Sequence, residues 1–342
     1  MRAIKKTDIP AIVEGSLFYG TGGGGDPARA QAIWERLARQ KRLPAIYTLS
    51  EFSNGICVTA FPVGGLKVQS ISTKCITAAL ATLQKRLAVP IVGIIPVEIG
   101  SLPLALSAEV AALLNLPLVD ADFVGGRSTP EVFLETITLF DIPRTPLVVV
   151  NRRGDVATLE KASSPVAEEE FLRTFSTMTE GFAYVFGYPI SIAQAKRAVT
   201  QNTVSQALNM GNEIGKNSLR KAVIRLGGRV FCTGTILAID TIDNPGFSAQ
   251  MVVIKTSRGK CRIFTKNENM IFWMNDKPIL TCPDLIILLD ENDRPLFNQS
   301  ICIGKTVSVV GMPAASLWRT TKGKKLFCPR VFGFKFDTVL LS

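Results

Sequence analysis

Residues 119–131, VDADFVGGRSTPE, bring two carboxylates (Asp120 and Asp122), a Gly125-Gly126 bend, Arg127 and a segment opened by Pro130 into one short connection. The apolar run at 116–119 has the character of a buried strand, and 130–140 is predicted as a helix. A strand that ends in charge and reopens as a helix marks the edge where α/β folds place ligands. Working outward, apolar strands at 91–95, 116–119 and 145–150 alternate with helical segments at 103–114 and from 130 onward. This alternation predicts right-handed βαβ units, hence a three-layer α/β/α domain with a largely parallel sheet. Further helices are expected at 9–17, 28–38, 73–87 and across most of 199–226.

Past Gly227 the pattern changes. Short β-branched or aromatic runs occur at 230–238, 250–255, 260–265, 279–280, 285–289, 306–310 and 325–327. Turn sequences such as Asp243-Asn244-Pro245-Gly246 and Ser257-Arg258-Gly259 separate them. Many short strands with turn signals predict an all-β barrel or sandwich. The boundary falls near residue 225, giving an α/β unit over 1–225 and a β-rich unit over 226–342.

The 342 residues contain no histidine. That removes the commonest general base, the commonest zinc ligand and every Ser-His or Cys-His arrangement. The seven cysteines lie at least eighteen residues apart, with no C-x-x-C, which excludes a dense disulfide framework. The opening MRAIKKTDIPAIVEG puts Asp8 and Glu14 where a signal peptide needs an apolar stretch. The apolar window 102–119 is broken by Pro103, Glu109, Asn115 and Pro117, so it reads as core rather than a membrane span. A cytoplasmic protein is expected. Residues 221–342 hold 17 Lys and Arg against 9 Asp and Glu, supplying +8 of the net +11. With Phe264, Phe272, Trp273, Trp318 and Phe327 there, nucleic-acid binding is conceivable. The basic residues are nevertheless scattered, except for Lys322-Gly323-Lys324-Lys325, read as a hairpin tip, so a basic surface over an aromatic core is favoured.

Three stretches could carry chemistry. GTGGGGDP (20–27) joins two helical segments; it is neither a Walker loop nor a dinucleotide fingerprint. The consecutive glycines Gly22, Gly23, Gly24 and Gly25 leave backbone N–H groups bare for a ligand, or else form a tight interhelical turn. Asp26 suits an N-cap and Pro27 the first helical turn. PVEIGS (96–101) ends a strand, with Ser101 as a helix cap and Glu98 as a lone acid. If buried, Glu98 needs a partner or a raised pKa. In the 119–131 stretch, Asp120 and Asp122 alternate, so one faces the pocket and the other secures the loop; Asp122 is assigned to the pocket. Arg127 can grip an oxygen in a forked geometry or pair with one of those aspartates. Glu131 lies in the expected first helical turn. In a doubly wound sheet these turns share one edge, with helix N-termini and the glycine loop converging on an electron-rich ligand. Cys57 and Cys75 read as small buried hydrophobes.

GTGGGGDP, the PVEIG turn and VDAD…GR..PE occur in this order, followed by NTVSQALNMG (202–211), NEN (267–269), CPDLI (282–286), LWRT (317–320) and CPRVFGF (328–334). Together they resemble the S-methyl thiohydantoin desulfurase-like family, which is associated with hydantoinase/oxoprolinase proteins. The resemblance spans nearly the whole chain and implies an N-terminal α/β/α domain and a C-terminal β domain. It implies hydrolysis of an S-methylated thiohydantoin, a small heterocycle, to a hydantoin with loss of methanethiol. Water would add to the thioimidate carbon, with Asp122 or Glu98 as base and Asp120 beside them. Arg127 and the N–H groups of Gly22, Gly23, Gly24 and Gly25 would hold the carbonyl oxygens; Asp26, Ser101 and Glu131 complete the expected binding residues. The resemblance also makes zinc a candidate. Without histidine, a divalent metal here must be held by carboxylates or cysteines. An accessory subunit of a hydantoinase/oxoprolinase-type assembly is the alternative, and a homo-oligomer is left open.

Overall fold

The computed structural model describes residues 1–64, 71–178, 181–243 and 247–342. Of the turn expected at 243–246, positions 244–246 lie outside them.

Helices begin where side chains can satisfy the first N–H groups. Asp26 accepts from Ala28 N (2.9 Å) and opens Pro27–Arg39, with proline at its first position. Ser72, Ser164 and Ser191 cap the helices Thr73–Gln84, Pro165–Thr177 and Ile192–Ala198 in the same way. Ser101–Leu114 is buried almost throughout, consistent with its apolar residues on every face. Its N-cap is Gly100, so Ser101 is the first helical residue rather than the expected cap.

Eight strands form the first sheet, in the order Arg2–Ala3, Ala45–Tyr47, Leu118–Val119, Ile91–Ile94, Ile56–Gly64, Phe182–Ser191, Leu147–Asn151, Val156–Leu159. Only the joins between Ala45–Tyr47 and Ile56–Gly64 are parallel; the others are antiparallel. The sheet is therefore mixed, not largely parallel. Alternate strand residues feed two separate cores. Val58, Ala60, Val148 and Val150 pack with Ile76, Leu80, Leu106 and Val110, while Cys57, Phe61, Leu147 and Val149 pack with Leu172 and Phe175.

The expected helix at 130–140 is absent; only the 3-10 turn Thr136–Phe140 forms there. Thr136, Ile137 and Thr138 are β-branched and lose rotamer freedom in a helix. Tertiary partners also take the backbone donors a helix would need. Val132 N donates to Glu169 (2.7 Å) and Thr136 N to Phe123 O (2.6 Å), while the Thr136 hydroxyl donates to Ala198 O. Without an α-helical crossover after 119–131, the chain re-enters the sheet at Leu147–Asn151 against Phe182–Ser191 and antiparallel to it.

The second sheet has seven antiparallel strands, in the order Lys277–Thr281, Glu268–Met274, Gly259–Lys266, Ala249–Thr256, Arg229–Ile242, Thr306–Met312, Leu285–Leu289. Bulges in four of its pairings curl it until strands at its two ends touch, giving a half-barrel. The strand Glu268–Met274 is not among those expected from the sequence. Where a hairpin tip at 322–325 and a strand at 325–327 are expected, the helix Thr321–Leu326 forms, with Phe327 at its C-cap. Thr320 caps that helix through Gly323 N (3.0 Å).

The helices Ile9–Tyr19 and Thr203–Gly215 cross at two glycines. A Cβ on Gly15 would lie 1.7 Å from Ala207 O, and one on Gly211 1.7 Å from Ala11 O. Helix propensity alone would make Gly211→Ala stabilising by about 1 kcal/mol. A backbone–backbone clash outweighs that, so the expected outcome in urea unfolding is a loss of about 3 kcal/mol.

Candidate active site

A cleft of about 190 Å³ lies between the glycine loop, the turns after Ile91–Ile94 and Ala121–Asp122, and the second sheet. Of the residues expected at a site, it is lined by Gly22, Gly23, Gly24, Gly25, Asp26, Glu98 and Glu131. The glycines are needed for close packing as much as for any ligand. A Cβ on Gly23 would meet Glu268 Oε1 at 2.1 Å; one on Gly24, at φ +71°, would meet Gly100 Cα at 2.6 Å. The loop is stitched to both halves of the protein. Thr21 O accepts from Asn269 N (2.8 Å), Gly22 O from Asn298 N (2.8 Å) and Gly24 O from Leu102 N (3.0 Å).

Two carboxylates dominate the cleft. Glu98 accepts from Thr129 N (2.9 Å), and Glu268 accepts from Gly24 N (3.2 Å). Burial, then the negative field of Glu268, pushes Glu98 well above the usual carboxylate range. Burial pushes Glu268 up to about 8, against the opposing effect of the Gly24 hydrogen bond. Like charges sharing one buried space resist joint ionisation, so the two carboxyls titrate as a pair.

Four expected residues lie elsewhere. Asp122 is fully buried outside the cleft, its oxygens accepting from Val124 N and Gly126 N (both 2.8 Å), so it shapes the glycine bend. Burial raises its pKa to about 7. Asp120 ties the helix Thr203–Gly215 to the sheet through Ser205 N (2.9 Å) and Ser205 Oγ (2.5 Å). Arg127 points to the second half, donating to Pro283 O, Asp284 O (3.2 Å) and Ser128 O (3.0 Å) beneath the Phe327 ring. Ser101 Oγ faces Val13 O and Ser16 in the core. Glu131, outside any helix, pairs with Lys266.

Glu268, Asn298, Glu135, Glu169 and Arg173 also line the cleft and were not picked out in the sequence. The NEN motif was the available signal for Glu268, a lone acid entering an apolar strand. Glu135 is held by Arg144 (2.8 Å) and Tyr188 (3.0 Å), and burial raises it to about 8. A metal does not fit this donor set. Among the described residues no group of three or more His, Cys, Asp or Glu could hold one, and the cleft's unpartnered buried oxygens are one each from Glu268, Asn298 and Thr129.

The raised acids carry a stability signature. Glu98, Glu268, Glu135 and Asp122 bind protons more tightly in the folded state than in the unfolded state. Stability from these groups is full below the unfolded carboxylate range and is lost as pH rises through their folded values, about 8 for Glu268 and Glu135. The melting temperature is therefore expected to fall between about pH 5 and pH 9, and Glu268→Gln should flatten that slope.

Among the described residues no helix is long and apolar enough to cross a membrane. A search of curated proteins found no match to the chain. A solved structure of a protein from Chromobacterium violaceum aligns over 98% of both chains with TM-score 0.83 and 21% identity, which establishes a shared fold. Family models for the S-Me-THD-like N-terminal and C-terminal domains match residues 7–161 and 163–341. The second match includes Phe182–Ser191, the strand that joins the two parts of the first sheet. With both halves matched in order and the cleft built where they meet, the chain belongs to the S-methyl thiohydantoin desulfurase-like (S-Me-THD-like) family.

Proposed function

We propose that this protein hydrolyses an S-methylated thiohydantoin to the hydantoin and methanethiol in the cleft beside the glycine loop. The observation that carries the reading is the buried Glu98–Glu268 pair in a cavity suited to one small heterocycle. With one proton shared by the pair, the ionised carboxyl takes a proton from water as the water oxygen bonds to the thioimidate carbon and the C=N π pair moves onto the ring nitrogen. That pair returns as the C–S bond breaks, the protonated carboxyl supplies the proton that leaves with methanethiol, and the remaining hydroxyl proton passes to the ring nitrogen to give the hydantoin. Asp122 and Arg127 act through the framework. All seven cysteines are free thiols, which supports a reducing, cytoplasmic setting. The hydantoin product would pass to a ring-opening enzyme of the hydantoinase/oxoprolinase type.

The test is methanethiol release from a panel of S-methyl thiohydantoins, followed with a thiol reagent. A bell-shaped pH profile is expected, with the alkaline limb near the value of about 8 that burial imposes on Glu268. No release by folded protein would remove the reaction and leave a ligand-binding accessory role.

A further inference from the structure

The charge of the cleft is opposite to that of the protein. Six acidic side chains and one basic one, Arg173, line it, while the chain as a whole carries +11. A low-dielectric cleft lined by one sign of charge concentrates ligands of the other. Lys266, Arg173 and Arg144 neutralise Glu131, Glu169 and Glu135. Asp26 is engaged as the cap of its helix. Glu98 and Glu268 have no ion pair among the described residues; Arg127 reaches Glu268 only through its field. Glu268 Oε2 and Asn298 Oδ1 are buried without a partner. Asn298 Nδ2 is committed to Asn267 O (2.8 Å), which fixes Oδ1 as the unanswered acceptor, beside Gly22 of the loop. Buried acceptors left without donors are costly, and here they lie at the one carboxyl pair of the cleft that has no ion-pair partner among the described residues.

We propose that this end of the cleft is a subsite for a planar cation with an N–C–N fork of N–H donors, of the amidinium, guanidinium or isothiouronium class. Glu98, Glu268 and Asn298 receive the fork. The inference rests on the cleft being the ligand site and extends that reading, because an S-methylated thiohydantoin carries the same N–C–N array around its thioimidate carbon and becomes such a donor fork when its imine nitrogen is protonated. A metal ion would need a further anionic ligand that the described residues do not assemble; a flat organic cation needs only spaced acceptors.

Thermal unfolding of the full chain at alkaline pH tests the proposal, with millimolar acetamidinium or S-methylisothiouronium as probe. Tetramethylammonium provides the same charge without N–H donors, and manganese tests a metal. A dose-dependent rise in Tm is expected with the two donor cations alone. The apparent Kd should weaken about tenfold or more in Glu98→Gln and in Glu268→Gln. No rise, an equal rise with tetramethylammonium or manganese, or a rise that persists in both variants overturns the proposal. Methanethiol release on the same preparations separates the two readings. Hydrolysis without cation binding removes the subsite and leaves the reaction; cation binding without hydrolysis does the reverse.

Discussion

Replacing Glu268 by Gln is expected to cut methanethiol release by about 10²–10⁴-fold, the usual contribution of a positioned acid–base group. Glu98→Gln should do the same, and the double variant should lose little more than either single one, because the carboxyls share one proton. Neither loss should come from unfolding. Gln removes a buried titratable carboxyl whose ionised form is disfavoured by burial, so at alkaline pH the variant's melting temperature should equal or exceed the parent's. Remaining activity should lose its alkaline limb. An unchanged rate in both single variants would sink the assignment of the pair.

Arg127→Ala has the second large expected effect, and it is on stability. The guanidinium is wholly buried, bridges the two halves through the carbonyls of Pro283 and Asp284, and stacks on Phe327. Truncation leaves those carbonyls unanswered and opens a cavity, a loss of about 3–5 kcal/mol in urea unfolding. Arg127→Met keeps most of the volume and should lose about 1–3 kcal/mol. Activity per folded molecule should survive in Arg127→Met, with its alkaline limb moved to higher pH, since Arg127 does not line the cleft but its charge holds Glu268 down. A selective rise in KM with unchanged stability would instead restore the oxygen-gripping role that its place after a Gly-Gly bend suggests.

Much of the local structure was readable. Asp26-Pro27, followed by an amphipathic run, specified the start of a helix, and 285–289 specified a strand to the residue. The unreadable parts share one cause. At 130–140 the apolar spacing suits a helix, yet Glu169 and Phe123, distant in sequence, take the backbone donors. Strand direction in the first sheet was hidden for a related reason. An apolar run such as Leu147–Asn151 looks the same whether its neighbour runs parallel or antiparallel to it.

The site divides along the same line. The glycine loop and Glu98 could be singled out because a bare backbone and a lone acid among apolar residues are local features. Asp122 and Arg127 look equally chemical in one dimension. Their hydrogen bonds run instead to their own bend and to the opposite half, away from the cleft. Glu268 lies 170 residues beyond Glu98, on a strand the apolar pattern did not reveal. Composition, caps and periodicity by themselves determined which segments are helix or strand and where bare backbone occurs, because those depend on neighbours a few residues apart. Only the tertiary structure decided which carboxylates meet, since burial and mutual repulsion arise between groups that the chain keeps far apart until it folds.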